Sequence, residues 1–224
     1  MCGRYTLTSN GRAVAAWFDL SETPVLSERY NIAPAQDVAI VRHGERGREC
    51  PFVSWGFGQR GARVVINARS ETAATKPSFR DSLRSRRCLV PATGFIEWRH
   101  QGRARAAYHF RSRDSELLAM AGLWSLWPNG DGKAVESMVI LTTSPNQLVA
   151  DLHDRMPMIL DRRDFDRWLE PQALDADELH RLAEPLAAER MERIPVSSRI
   201  NSTRFDDPAC LERVADEPVQ QSLF

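Results

Sequence analysis

The second residue of this 224-residue chain is a cysteine that follows directly on the initiator methionine. Because Met1 precedes a small side chain, we expect an aminopeptidase to remove it, so that the mature chain begins with Cys2. Such a residue carries a thiol and an α-amine, whose pKa of roughly 8 leaves more of it neutral near pH 7 than a lysine. Together they can convert an aldehyde into a Schiff base and then into a thiazolidine ring. A buried or incidental cysteine is the alternative that position alone leaves open.

The remaining cysteines show no metal-binding or disulfide pattern. Cys50, Cys88 and Cys210 are widely spaced, and no two of the four cysteines form a CxxC pair, which argues against a zinc ribbon or a thioredoxin motif. The first twenty residues lack the basic and apolar regions of a secretory signal. We therefore expect free thiols in a reducing cytoplasm, with no metal and no cofactor.

Charge is distributed unevenly along a chain whose formal net charge is zero. Residues 1–110 carry 17 basic and 9 acidic side chains, whereas residues 111–224 carry 13 basic and 21 acidic ones. The excess is strongest in residues 60–105, with 11 basic and 3 acidic groups, and all but two of the 30 basic residues are arginine. Because arginine donates two hydrogen bonds to one phosphate, this asymmetry predicts a basic face for nucleic acid. A coding bias toward arginine explains the arginine excess equally well.

The elements that must hold these residues are short. With 42% apolar and 27% charged residues, and no apolar run near the ~20 residues of a membrane span, the chain is typical of a soluble globular protein. Apolar patterning predicts strands through most of residues 37–142, and helices at 13–20 with Asn10 as cap, 79–86, 146–152, 163–169 and 175–192. We predict one α+β domain over residues 2–215, with a mostly antiparallel, barrel-like twisted sheet flanked by helices, and an exposed tail over 216–224.

Short motifs follow one another through nearly the whole chain. They are Met1-Cys2-Gly3-Arg4-Tyr5, Tyr30-Asn31-Ile32-Ala33-Pro34, Trp55-Gly56, Asn67-Ala68-Arg69-Ser70-Glu71-Thr72, Arg87-Cys88-Leu89-Val90-Pro91, Gly94-Phe95-Ile96-Glu97-Trp98, Ala121-Gly122-Leu123-Trp124, Thr142-Thr143 and His153-Asp154-Arg155-Met156-Pro157. Each is weak alone, but their order over about residues 2–210 resembles the SRAP family, the SOS-response-associated peptidase proteins. The resemblance implies a sensor of abasic sites in single-stranded DNA. It implies that Cys2 joins the ring-opened sugar as a thiazolidine, which shields the lesion from strand cleavage and error-prone bypass.

The resemblance also implies a catalytic set around Cys2. Glu97 is the expected proton-transfer group for Schiff-base formation, ring closure and reversal. His153 would protonate the sugar as the aldehyde opens, and the Asn67 amide would hold the opened sugar and orient the amine. Taken singly, a surface glutamate, a structural histidine and a turn asparagine are the alternatives for these three residues.

A second implied set contacts the DNA. Arginines beside the catalytic motifs would hold phosphates, and one aromatic ring would stack on a base next to the abasic gap. Contacts of this kind predict weak sequence preference and marked salt sensitivity. The expected DNA contacts are Arg4, Arg69 and Arg155, with Arg80 in a less securely aligned loop, the stacking ring of Trp55, and Asn31 in a loop that lines the pocket.

Two other classes of function stay open at the level of sequence. A cysteine-dependent peptidase or amidohydrolase would use Cys2 as an N-terminal nucleophile and His153 as its base. The peptidase label of the family reflects removal of residues ahead of the cysteine, which is autocatalytic in some members. A non-covalent binder of damaged DNA would leave no covalent product. In each case we expect a monomer in the cytoplasm, associated with the nucleoid and without membrane contact.

The last five residues, Gln220-Gln221-Ser222-Leu223-Phe224, resemble the pentapeptide with which bacterial proteins bind the replicative sliding clamp. Gln220, Leu223 and Phe224 occupy matching positions, and Gln221 replaces the usual leucine. A disordered tail that docks two apolar side chains into a groove is a familiar recognition mode, and a tail folded onto its own domain is the alternative.

We expect deletion of residues 220–224 to abolish binding of the chain to the purified clamp, because the docking side chains are removed. Surface plasmon resonance with immobilised clamp measures the effect, and DNA binding by the shortened chain serves as the control. Equal clamp binding by both chains, or binding by neither, would contradict the assignment.

Overall fold

The computed structural model describes residues 2–58, 64–101, 104–128 and 133–216, which form short strands with few helices. The strands of this part are β1 (Tyr5–Leu7), β2 (Arg29–Ile32), β3 (Asp37–Ala39), β4 (Arg42–Gly44), β5 (Gly47–Glu49), β6 (Phe52–Trp55), β7 (Asn67–Arg69), β8 (Arg87–Ala92), β9 (Gly94–Gln101), β10 (Ala104–Ser112), β11 (Leu118–Pro128), β12 (Ala134–Thr143), β13 (Met156–Pro157), β14 (Ile159–Leu160) and β15 (Met191–Val196). The helices are α1 (Gly11–Phe18), α2 (Ser70–Ala73), α3 (Pro77–Ser85), α4 (Gln147–Ala150), α5 (Phe165–Leu169) and α6 (Ala176–Leu182).

Two sheets contain most of the strands. The first has the order β15-β10-β9-β1-β2 and is antiparallel throughout. The second follows β14-β11-β12-β6-β3, with β8 also paired to β11, and with β7 and β13 paired to β12. Only β6 and β7 run parallel to their neighbour in the described part of this sheet. The predicted α+β class with a mostly antiparallel sheet is confirmed, whereas "barrel-like" is a loose description, because the described strands form open sheets.

Local sequence signals explain where two of the helices begin. Asn10 caps α1, as predicted, because its side-chain oxygen accepts a hydrogen bond from the backbone N–H of Ala13 at 3.0 Å. Helix α3 begins at Pro77, a residue suited to the first helical turn, and buries its apolar face. No helix among the described residues is long and apolar enough to cross a membrane.

The helix predicted over residues 175–192 is wrong beyond Leu182. Helix α6 ends there, Pro185 follows it, and Met191 begins strand β15, which pairs with β10 over six residues. Proline interrupts the backbone hydrogen bonds of a helix, and the free edge of β10 offers the following segment a better set of partners. Tertiary pairing therefore overrides the helical periodicity of this stretch.

Strand β1 lies inside the first sheet, between β9 and β2, although it begins only five residues into the chain. Tyr5 pairs with Phe95, and its buried ring meets the Trp55 ring edge-on at 5.3 Å between centroids. Strand β9 requires glycine at its first position, because a Cβ at Gly94 would lie 2.1 Å from His109 Nε2. The close approach of β9 to β10 and β1 depends on this residue.

One arginine of the basic segment over residues 60–105 is part of the interior. Arg87 is 3% exposed and donates hydrogen bonds to the backbone carbonyls of Leu83 at 2.6 Å, Trp168 at 2.6 Å and Gln172 at 2.8 Å. Burial lowers the pKa of Arg87 to about 10. This residue joins α3 to α5 and is not available to a DNA face, so the basic excess overstates the charge on the surface.

A buried polar cluster joins β1, β9 and β10. Thr6 Oγ1 lies 2.9 Å from Thr93 Oγ1 and 3.1 Å from His109 Nε2. Burial lowers the pKa of His109 to about 4, so the imidazole is neutral at pH 7 and exchanges hydrogen bonds with hydroxyl groups. The cluster satisfies polar groups beneath the strand that follows Cys2.

His109 is expected to make stability depend on pH. Its pKa is lower in the folded chain than the ordinary value of 6.5, so its contribution is present above that pH and is lost as the pH falls toward 4. The loss amounts to about 3 kcal/mol. Urea unfolding between pH 4 and pH 7 should show this slope in the native chain and its absence in His109→Gln. The control is His43→Gln at an exposed position on β4, and parallel curves for all three proteins would contradict the expectation.

Candidate active site at the amino-terminal cysteine

Asn67 and Cys2 meet where the two sheets approach each other. Strand β7 pairs in parallel with β12, with Asn67 opposite Ile140, and this brings the Asn67 amide toward the start of the chain. Asn67 Nδ2 donates a hydrogen bond to the Cys2 carbonyl oxygen at 2.9 Å. Asn67 Oδ1 is buried and accepts no hydrogen bond from the described residues. The Asn67 side-chain oxygen therefore lies near Cys2 as a hydrogen-bond acceptor that no described donor uses.

Cys2 is fully buried rather than frayed. Its Sγ donates a long hydrogen bond of 3.9 Å to the Arg4 carbonyl oxygen. Burial raises the pKa of the Cys2 thiol well above its usual range, and the negative charge of Glu97 adds to the effect. The thiol is consequently protonated at neutral pH, and it can act as a nucleophile only if a neighbouring group accepts its proton.

Glu97 is the group that can accept the proton of the Cys2 thiol. It lies on β9 just after Ile96, whose backbone N–H donates to the Arg4 carbonyl at 3.0 Å, so the register of β9 against the chain start fixes its position. Glu97 is 3% exposed. Burial raises the pKa of its carboxyl to about 7, against the lowering effect of the positively charged amino terminus. A group with this pKa can both accept and donate a proton at physiological pH.

His153 follows α4 and is partly exposed. The backbone N–H of Arg155 donates to its Nδ1 at 3.0 Å, and a carboxylate oxygen of Asp154 lies 2.9 Å from the same atom. Burial lowers the pKa of His153, as does the positive charge of the amino terminus. The charge of Asp154 affects the pKa of both His153 and Glu97. The structure therefore gathers the four predicted catalytic residues around the beginning of the chain.

Arg4 and Asn31 form a structural link in this structure. Arg4 Nη1 donates to Asn31 Oδ1 and, at 2.8 Å, to the Ile200 carbonyl, and its guanidinium lies over the Trp98 ring at 5.6 Å. Asn31 is 1% exposed and its amide donates to the Ser202 carbonyl at 3.0 Å. Asn31 ties the segment after β15 to β2, and the expectation that its loop lines the DNA pocket stays a prediction.

The expected stacking of Trp55 on a DNA base is corrected. Trp55 has no exposed surface, its Nε1 donates to the Ile66 carbonyl at 3.0 Å, and its ring packs on Tyr5. A ring enclosed in this way cannot stack on a nucleobase without opening the core. Trp55 instead supports the strands that carry Cys2 and Asn67, because Tyr5 and Ile66 each lie within a few residues of one of them.

The remaining predicted arginines divide into buried and exposed ones. Arg155 is 8% exposed, and its terminal nitrogens donate to both carboxylate oxygens of Glu71, at 2.6 and 2.8 Å, and to the Thr142 carbonyl at 2.5 Å. Without DNA these donor atoms are engaged with Glu71 and Thr142, and the expected phosphate contact of Arg155 stays a prediction. Arg69 and Arg80 are exposed, and Arg80 pairs with Asp81 at 3.1 Å.

Glu71 was missed as a functional candidate although it lies inside the Asn67-to-Thr72 motif. The one signal in the sequence is that Glu71 is a carboxylate in a strongly basic segment. Its counter-ion, Arg155, lies 84 positions further along the chain, so sequence spacing does not reveal the pair. The predicted clamp-binding residues Gln220, Leu223 and Phe224 lie outside the described residues. Those that are described contain no group of three or more His, Cys, Asp or Glu side chains that could hold a metal ion.

Comparison with known proteins shows the family of this chain and agrees with its fold. A family model described as SOS response associated peptidase (SRAP) matches residues 1–203, and the chain belongs to this family. It is 35% identical over 222 residues to the abasic site processing protein YoqW of Bacillus subtilis, covering 95% of this chain and 99% of that one. It is 32% identical over 166 residues to the abasic site processing protein HMCES of Gallus gallus, covering 65% and 49% respectively. A crystal structure of a protein from Bacteroides thetaiotaomicron superposes with a TM-score of 0.82 at 26% identity, covering 96% of this chain and all of that one.

The raised pKa of Glu97 predicts a pH-dependent difference in stability. A folded-state pKa of about 7 against an ordinary 4.5 means that ionisation of Glu97 opposes folding as the pH rises through this window. Relative to Glu97→Gln, the native chain should lose about 3 kcal/mol of unfolding free energy between pH 4.5 and pH 7. Urea unfolding of both proteins measures the difference, and ¹³C NMR titration of the Glu97 carboxyl measures its pKa directly. A constant difference, or a carboxyl that titrates near 4.5, would contradict the assignment.

Proposed function

We propose that this chain processes abasic sites in DNA by forming a covalent thiazolidine through Cys2, after removal of Met1, in single-stranded DNA. The observation that supports this most directly is the enclosure of one N-terminal cysteine by an amide, a carboxyl group with a pKa of about 7 and an imidazole. Relatives that span nearly the whole chain bear the name abasic site processing protein. An abasic site supplies the aldehyde that an α-amine and a thiol on adjacent carbons capture together.

The amine is the first nucleophile in this proposal, because the buried thiol is protonated. The α-amine of Cys2 attacks the C1′ aldehyde of the ring-opened sugar, the carbonyl oxygen takes up a proton, and a carbinolamine forms. Loss of one water molecule then gives the Schiff base. His153 can supply a proton to the sugar as its ring opens, since its neutral imidazole carries a proton on one nitrogen.

Ring closure uses the thiol and Glu97. The Cys2 Sγ forms a bond to C1′ as the C=N double bond becomes single, and the thiol proton is transferred to the ring nitrogen by way of Glu97. The overall reaction joins aldehyde and cysteine with loss of one water and needs no oxidant or reductant. Because a carboxyl group with a pKa of about 7 exists in both protonation states at neutral pH, Glu97 can serve the reverse reaction as well.

Asn67 and Arg69 complete the site in this proposal. The unused Oδ1 of Asn67 can accept a hydrogen bond from a hydroxyl of the opened sugar while its Nδ2 holds the Cys2 carbonyl. Arg69 is exposed two residues further along the same strand, where it can pair with a phosphate beside the lesion. The tail over residues 220–224 would bring the chain to replicating DNA, if it binds the sliding clamp.

The proposal predicts a denaturant-stable adduct. Native chain incubated with a single-stranded oligonucleotide that contains one abasic site should shift to higher mass on a denaturing gel, and mass spectrometry should find a gain equal to the DNA minus one water. Cys2→Ala retains an α-amine but cannot close the ring, so it should give no stable adduct. Cys50→Ala, which alters a half-buried thiol outside the site, should crosslink like the native chain.

Each rival function gives a different outcome in this experiment. A non-covalent binder would retain DNA equally well in the native chain and in Cys2→Ala, and neither protein would form an adduct. A peptidase or amidohydrolase would form no adduct and would turn over a peptide substrate in a Cys2-dependent manner. Autocatalytic removal of a leading peptide can be tested by adding residues ahead of Cys2 and comparing the native chain with Glu97→Gln.

A further inference from the structure

Glu71 and Arg155 form a nearly ideal ion pair next to the active site. Glu71 lies on α2, immediately after the strand that carries Asn67, and both of its carboxylate oxygens accept hydrogen bonds from Arg155, at 2.6 and 2.8 Å. Arg155 is 8% exposed, and its Nε has no hydrogen-bond partner among the described residues. A guanidinium this far from water needs its counter-ion, since an uncompensated buried charge is strongly unfavourable.

The same guanidinium fixes the turn that carries His153. Arg155 also donates to the Thr142 carbonyl at 2.5 Å, and Met156 pairs with Thr143 at the start of β13. These contacts attach the turn to the end of β12 on one side and, through Glu71, to α2 on the other. The backbone N–H of Arg155 is thereby directed at His153 Nδ1, which accepts its hydrogen bond at 3.0 Å.

This backbone contact determines where the imidazole carries its proton. Nδ1 has one site, so while it accepts from the Arg155 N–H the proton of the neutral ring must be on Nε2. A carboxylate oxygen of Asp154 lies 2.9 Å from the same nitrogen, and it would accept a hydrogen bond from Nδ1 if the ring carried its proton there. Burial and the charge of Arg155 favour the neutral ring, whereas the charge of Asp154 favours the protonated ring. The position of the Arg155 backbone N–H therefore decides which of the two neutral tautomers of His153 is favoured.

We propose that Glu71 is a positioning residue for His153: by holding Arg155 it keeps the Nε2–H tautomer of His153. The inference rests on the proposed function only for its effect on the reaction rate. Its structural part concerns the free protein. Glu71 does not touch the reacting atoms and acts through Arg155 alone, in the manner of the outer carboxylates that orient functional histidines.

Glu71→Gln tests the proposal in the chain without DNA. In the native chain, long-range ¹H–¹⁵N NMR should show His153 in the Nε2–H tautomer with a low pKa. In Glu71→Gln we expect a mixture of both tautomers and a higher pKa of His153, because the Arg155 N–H is no longer held against Nδ1 and the Asp154 carboxylate 2.9 Å away can accept a hydrogen bond from that nitrogen. An unchanged tautomer and an unchanged titration of His153 would overturn the proposal, whatever the chain does with DNA. Glu71→Asp, which keeps the charge with a shorter reach, provides a second variant if Glu71→Gln fails to fold.

Glu178→Gln is the matched control. Glu178 also binds one arginine through both oxygens, accepting from Arg167 between α5 and α6, so its loss breaks an equivalent ion pair outside the site. We expect the crosslinking rate of Glu71→Gln to fall about tenfold and the acid limb of its pH profile to shift, and Glu178→Gln to follow the native profile. If both variants lower the melting temperature and neither moves the pH profile, the Glu71 pair is merely structural and the proposal fails. A native chain that forms no adduct would refute the proposed function and leave the NMR result to decide the role of Glu71.

Discussion

The pairing of β1 with β9 is the contact on which the site depends. It holds the second residue of the chain in the protein interior, although chain ends are ordinarily exposed and mobile. Ile96 donates to the Arg4 carbonyl and Tyr5 stands opposite Phe95, so the register of two strands sets the position of Glu97 relative to Cys2. A shift by one residue would turn Glu97 to the other face of the sheet. Gly94 at the start of β9 and the core around Tyr5 therefore position the site as well as stabilise the fold.

Burial then gives the site its chemical character. The same removal from water that holds Cys2 as a neutral thiol raises the pKa of Glu97 to about 7 and keeps His153 neutral. None of these groups is strongly charged at neutral pH, and each can exchange a proton with a neighbour. A reaction that captures an aldehyde and can release it again requires groups of this kind, because protons must move in both directions.

The sequence predicted the class of fold, most strands and the four residues around the chain start, because ordered motifs mark those positions. It did not predict what the side chains of Trp55, Asn31 and Arg155 contact. The family resemblance favours DNA contacts for these residues, but the partners that bury them come from Ile66, Ser202 and Glu71, each in another part of the chain. The prediction of a helix up to residue 192 was wrong for a related reason, since the last part of that segment pairs with the edge of β10 as strand β15. Long-range pairing is the information that a single sequence lacks.

The arginine-rich composition consequently has two physical explanations in one chain. Arg87 and Arg155 are interior residues whose donors satisfy backbone carbonyls or a carboxylate, and Arg4 joins β1 to the segment after β15. A planar group with five donors suits such junctions better than lysine, because it can bind several acceptors from different elements at once. Arg69 and Arg80 remain on the surface, where phosphate can reach them. Fewer arginines than the sequence contains thus have their donors on the surface, and we expect removal of an interior one to disturb the shape of the site.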